Sequence, residues 1–120
     1  MEQEKWDRLS REGVDVESAL ERLMGNCSLL ERFLNKFAAD RSIYEQLVKS
    51  LAEKDVKGAL AASHSLKGMT ANLSMLKLSE LFARQVAFFR ADRFEEALAM
   101  MPEIDAEYRR ILTLIEELQG

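Results

Sequence analysis

Cysteine, histidine and proline each occur once in this chain of 120 residues. The single cysteine, Cys27, leaves no partner for an internal disulfide, and with one histidine it makes too small a set for a usual zinc site. One proline and five glycines are too few for an all-β chain with many turns. No apolar run approaches the ~18 residues that a membrane-spanning helix needs. The first residues, Met1-Glu2-Gln3-Glu4, are polar and acidic, unlike the basic-then-apolar pattern of a signal peptide. A cytoplasmic protein is therefore the default expectation. Positive charge is in deficit too, with 17 basic against 21 acidic residues and a net charge of −4. That balance argues against nucleic acid or an anionic membrane as the main partner. There is no internal repeat, low-complexity tract or linker.

What is present is apolar residues at helical spacing. Hydrophobic residues make up 48% of the chain, enough to bury a core, and the length suits one domain over residues 1–120. Residues 2–11 read as a short helix with Trp6 and Leu9 on one face, ended by Gly13. Asp15 is suited to cap a second short helix carrying Val16, Ala19, Leu20 and Leu23, which Gly25-Asn26 closes. Ser28 with Glu31 reads as a capping box opening a long helix. The apolar row of that helix is Leu30, Phe33, Leu34, Phe37, Tyr44, Leu47, Val48 and Leu51. Asp40-Arg41-Ser42 interrupts it, so either one bent helix or two nearly in line is expected.

Asp55 is placed to cap a helix from Val56 to about Leu73, and a further helix spans about Lys77 to Arg90. Asp92 with Glu95 reads as an acidic cap for the last helix, whose apolar steps run on from Phe94 to Leu118 across a kink at Pro102. The fold expected is all-α: an up-down four-helix bundle, its core about residues 28–118, with one or two short N-terminal helices packed over it.

The only histidine lies in the second of these long helices, within Ala62-Ser63-His64-Ser65-Leu66-Lys67-Gly68. The apolar row there is Val56, Ala59, Leu60, Ser63, Leu66, Thr70 and Leu73, and His64 falls roughly 120° from its centre at 3.6 residues per turn. That puts the imidazole on the solvent flank, one turn from Lys67. Ala61, Gly68 and Ala71 share its side, so the ground around it is low. A glycine inside a helix costs about 1 kcal/mol relative to alanine, and close approach of another surface is one reason to keep it. Lys57 and Asn72 border the same side and complete a candidate contact face. A lone exposed histidine is more often a plain surface residue, and it is the surroundings that raise its interest.

The run His64-Ser65-Leu66-Lys67-Gly68, continuing through Met69-Thr70-Ala71-Asn72-Leu73, resembles the phosphoacceptor signature of histidine phosphotransfer (HPt) domains. The stretch from Gly13 to Asn26 is similar to the opening segment of that family, and the order of helices agrees over nearly the whole chain. The resemblance implies a phosphorelay intermediate, not an enzyme in its own right. His64 would carry a phosphoryl group exchanged with the aspartates of response-regulator receiver domains, or with a hybrid histidine kinase. Lys67 would be the cation beside that group and Gly68 the docking clearance. The family usually has glycine where this chain has Ser74, so either Asn72 takes the left-handed position or Ser74 caps the next helix. Family members often use a polar residue on the neighbouring helix to orient the histidine. Ungapped counting puts Val86 there, and the adjacent Gln85 faces either the same groove or solvent.

The chemistry fits these residue types. An unperturbed imidazole has a pKa of ~6.5 and is mostly neutral at pH 7, as a nucleophile must be. A phosphoryl group adds negative charge that a lysine offsets. No acidic cluster with metal-ligand spacing lies near His64, so no cofactor is expected and Mg²⁺ would be held by the partner. A monomer is expected, free-standing or excised from a larger chain. The alternatives are the histidine-bearing domain of a chemotaxis-type kinase and a helical adaptor that is never phosphorylated. A metal- or haem-binding bundle would need several inward His or Glu residues.

Overall fold

A computed structural model describes residues 1–119. Among them the chain is all-helical, with eight helices and no strand. They are α1 (Gln3–Arg11), α2 (Val16–Arg22), α3 (Cys27–Ala39), α4 (Ser42–Ala52), α5 (Val56–Asn72), α6 (Leu76–Arg90), α7 (Phe94–Ala99) and α8 (Met101–Gln119). None is long and apolar enough to cross a membrane. Helix α5 packs against both α4 and α6, α3 runs along α8, and α6 also meets α7 and α8. One apolar cluster joins these elements, with Leu34, Leu47, Leu66, Phe82, Ile104 and Ile111 inside it. Trp6 and Leu9 bring α1 into the same cluster.

Several helix starts differ from the sequence expectation. The cap of α3 is Asn26, whose side chain accepts from the Leu29 amide at 3.0 Å, so Ser28 lies inside the helix and there is no capping box at Glu31. Glu31 instead takes the amino group of Met1 at 3.0 Å. Asp15 and Asp55 do cap α2 and α5, through the amides of Ser18 and Gly58. Asp92 does not cap α7; Arg93 occupies that position without a side-chain bond.

The row expected from Leu30 to Leu51 divides into α3 and α4. Asp40 is extended there, and its carboxylate accepts from the Ser42 amide and hydroxyl, which starts α4 afresh. These bonds hold the Asp40 carboxyl below the usual carboxylate range. The last segment also breaks. Helix α7 ends at Ala99, and Pro102 stands in the first turn of α8, where its missing N–H has no partner to lose. Phe33 and Val48, expected inside, are 42% and 47% exposed, and Val56 and Leu98 also face solvent.

Helix ends follow one rule. After α1, α2, α4, α5 and α6 the chain takes a left-handed residue, at Gly13, Met24, Lys54, Ser74 and Asp92. In each case the following amide reaches back to a carbonyl of the last turn, as Met75 does to Thr70 and Asp55 to Ser50. This is the Schellman closure, which usually uses glycine. Here four of the five residues have side chains, and that is why the sequence carries few glycine stop signals. Ser74 itself is left-handed, while Asn72 stays helical, so neither alternative for that turn holds. Arg22 donates to the Ser74 hydroxyl at 2.6 Å and to the Asn72 carbonyl, and the Asp15 amide donates to the Ser74 carbonyl. The turn after α5 is thereby tied to α2.

Candidate functional site

Helix α5 owes its position to its buried row, Ala59, Ala62, Ser63, Leu66 and Thr70. The Thr70 hydroxyl donates back to the Leu66 carbonyl at 2.8 Å, so the one hydroxyl in its last turn is satisfied within the helix. Small residues at positions 59, 62 and 63 let α4 and α6 approach closely. The opposite face is open. Lys57, Ala61, His64, Gly68 and Ala71 are all exposed and follow one another at steps of three and four, with exposed Asn72 beside the last. Lys67 is half-buried beside them and makes no ion pair among the described residues. The sequence placed this face correctly.

The two glycines of α5 have different reasons. A side chain at Gly58 would run into the Asp55 carboxylate and the Ser50 hydroxyl, so glycine there is required by the cap. A side chain at Gly68 would meet nothing within 4 Å. No contact inside the molecule asks for glycine beside His64.

The charge on α5 is one-sided. It contains Lys57 and Lys67 and no acidic residue, in a chain whose net charge is −4. The exposed row is a positive strip on an acidic protein. Next to its Asn72 end lies a shallow groove of about 240 Å³ between α3 and α5, walled by Phe33, Phe37, Met69, Asn72 and Leu73, with Lys36 and Asp40 as its charged residues. The exposed ring of Phe33 lies on its edge. Sequence reasoning assigned Phe33 to the core because it shares the apolar row of α3.

Gln85 is neither in the groove beside His64 nor in solvent. It is fully buried at 0% exposure. Its Oε1 accepts from the Ser63 hydroxyl at 2.8 Å, and its Nε2 donates to the Ala97 carbonyl at 3.1 Å and to the Met101 sulfur at 3.2 Å. Gln85 therefore fixes the residue before His64 and links α5, α6, α7 and α8, and none of its bonds goes to the imidazole. The buried Ser63 hydroxyl has its partner here, and the Ala97 carbonyl, which also accepts the Met100 amide, takes up the other end of the side chain. Val86, the position reached by ungapped counting, is also buried. A signal for Gln85 was present, since it falls in the apolar row of α6 with Leu78, Leu81 and Phe82. Its partners are on three other helices and leave no local trace.

Among the described residues no three or more His, Cys, Asp or Glu side chains gather where they could hold a metal ion. Comparison with protein families, with characterised proteins and with solved structures returned no match.

Proposed function

We propose that this chain is a histidine phosphotransfer module, with α3–α4, α5, α6 and α7–α8 as the four arms of an up-down bundle and His64 as the phosphoacceptor. One observation carries the reading. The only histidine stands in the middle of an exposed, small-residue, acid-free helix face, and the glycine one turn away has open space above it. A neutral ring nitrogen of His64 attacks the phosphorus of a receiver's aspartyl phosphate. The N–P bond forms as the acyl O–P bond breaks, and the aspartate leaves as carboxylate. Lys67 lies one turn along to offset the charge that arrives. In this reading the module is a phosphocarrier, and Mg²⁺ is supplied by the receiver, since no metal-holding group of side chains gathers among the described residues.

The face is large enough for such a partner. An interface of about 800 Å² per side is a disc of radius about 16 Å, and the eight helical steps from His64 to Asn72 span about 12 Å. A receiver centred on His64 therefore also covers the groove at Phe33. The positive strip suits the acidic surroundings of a receiver aspartate.

The test is incubation with phosphorylated receiver domains, followed by acid and base treatment. The wild type is expected to gain a label that acid removes and base spares. His64→Gln is expected to fold normally and take no label, and Lys67→Ala to transfer more slowly with stability within about 0.5 kcal/mol of wild type. Full labelling of the His64→Gln variant, or no labelling of the wild type by any receiver, overturns the proposal in favour of an unphosphorylated adaptor.

A further inference from the structure

A second surface lies between α4 and α8. Helix α3 runs along α8, but after the break at Asp40 helix α4 packs along α5 instead. The space left between α4 and α8 forms two connected depressions of about 360 and 670 Å³ that share Tyr44, Val48 and Arg109. It is lined by the row Tyr44, Val48 and Leu51 on α4 and the row Asp105, Arg109 and Leu112 on α8, and Tyr44 and Asp105 bond to each other across its floor at 2.8 Å. Both rows advance in steps of three and four, so the trough follows two helix axes for the length of α4, about 16 Å. Its floor includes the stacked rings of Tyr44 and Tyr108, 3.9 Å apart. Val48 and, at 37% exposure, Leu98 are large apolar residues standing open on its edges. No residue of α5 contributes to it.

The charges on the trough are unequal. Arg41, Lys49, Lys54 and Arg109 border it, against Glu45 and Asp105. Asp105 is already engaged, accepting from the Tyr44 hydroxyl at 2.8 Å and from Arg109 at 2.7 Å. Arg41 is paired with Glu116 and Arg109 with Asp105, which leaves two rim cations, Lys49 and Lys54, against one rim carboxylate, Glu45, with no ion pair among the described residues. An acidic protein has here a straight, apolar-floored channel with a positive rim.

We propose that the trough between α4 and α8 is a docking site for an acidic amphipathic helix of a partner protein, separate from the His64 face. Apolar residues of that helix at i, i+4 and i+7 enter against Tyr44, Val48 and Leu98, and its acidic flank meets Lys49 and Lys54. The site does not depend on phosphorylation of His64.

The probe is a fluorescent synthetic helix with leucine at those spacings and glutamate on both flanks, compared with the same helix carrying lysine in place of glutamate. Anisotropy titration of the whole chain is expected to show saturable binding of the acidic helix, at least about tenfold tighter than of the basic one. Amide shifts should map to α4 and α8 and leave α5 unmoved. Val48→Asp is expected to weaken binding about tenfold without lowering the melting temperature, because Val48 is exposed. The double variant Lys49→Glu, Lys54→Glu should reverse the preference between the two helices. No saturable binding, equal binding of the two helices, shifts confined to α5, or concentration-dependent self-association through Val48 overturns the proposal.

Discussion

Gly58 and Gly68 share one helix, and at each a single methyl group has a different consequence. Gly68→Ala is expected to stabilise the protein by about 1 kcal/mol, since the new Cβ meets nothing and alanine is the better helix former. Gly58→Ala is expected to destabilise it, because the Cβ displaces the capping carboxylate of Asp55. Denaturant unfolding of the two variants checks both signs. Under the proposed function Gly68→Gln folds and transfers slowly, whereas an unchanged transfer rate would remove the clearance argument. Gln85 is the other residue with a sharp expectation. Gln85→Leu leaves the Ser63 hydroxyl without its acceptor in the core and strips one of two donors from the Ala97 carbonyl, which keeps the Met100 amide, and is expected to cost about 1–3 kcal/mol. Adding Ser63→Ala should cost less in that background than in the wild type, because the hydroxyl has already lost its acceptor. Equal losses in the two backgrounds would show that the two residues act independently.

At the scale of the element, the helix ends explain why boundaries were hard to read. A left-handed residue with a side chain costs about 1–2 kcal/mol relative to glycine, and this chain accepts that cost at Met24, Lys54, Ser74 and Asp92. Met24 is 95% exposed and has little to lose. Met24→Gly is therefore expected to stabilise by about 0.5–1 kcal/mol, after the greater freedom of glycine in the unfolded chain is subtracted. Ser74→Gly should gain less, because its hydroxyl accepts from Arg22 and ties the end of α5 to α2. Thermal and chemical unfolding of the two variants checks the ranking. If Ser74→Gly gains as much as Met24→Gly, the Arg22 contact contributes nothing. The same accounting covers the break before α8. The apolar steps continue through Pro102, so periodicity alone reads one helix. The chain instead begins a new helix at Met101 and uses the proline in its first turn.

Across the whole molecule, α4 and α8 are joined by Tyr44, Asp105 and Arg109. The Arg109 guanidinium, and after it the Tyr44 hydroxyl, hold the Asp105 carboxyl below the usual carboxylate range. Burial, and after it the bond to Asp105, pushes the Tyr44 hydroxyl above the usual phenol range. The two shifts act at opposite ends of the pH scale. A depressed carboxyl stabilises the fold above its unfolded pKa, about 3.9, and that stabilisation is lost as pH falls through the folded value. A raised phenol stabilises the fold below its unfolded pKa, about 10, and that contribution is lost as pH rises towards the folded value. Asp105→Asn is expected to flatten the acid limb slightly, since Asp105 is partly exposed, and Tyr44→Phe to flatten the alkaline limb more. Denaturation midpoints across the pH range, with tyrosinate absorbance on the alkaline side, measure both. An alkaline limb unchanged in Tyr44→Phe would assign the effect to Tyr108, whose hydroxyl burial also raises.

Local pattern determined the all-helical class, the caps at Asp15 and Asp55, the inward row of α6, that of α5 apart from exposed Val56 and buried Ala62, and the exposure of Lys57, Ala61, His64, Gly68, Ala71 and Asn72. These follow from a period of 3.6 residues and from side chains bonding amides a few residues away, which a sequence carries explicitly. Tertiary structure decided the rest. Phe33 and Val48 satisfy the apolar period of their helices and still face solvent, because α3 and α4 take different neighbours after Asp40. Gln85 turns inward, where Ser63 and Ala97 from other helices bond its two ends. Ser74 takes the left-handed place in the closure of α5, and α2 brings Arg22 to its hydroxyl. Each of these outcomes depends on a partner distant in the chain, and burial and hydrogen-bond satisfaction are settled only when the helices meet.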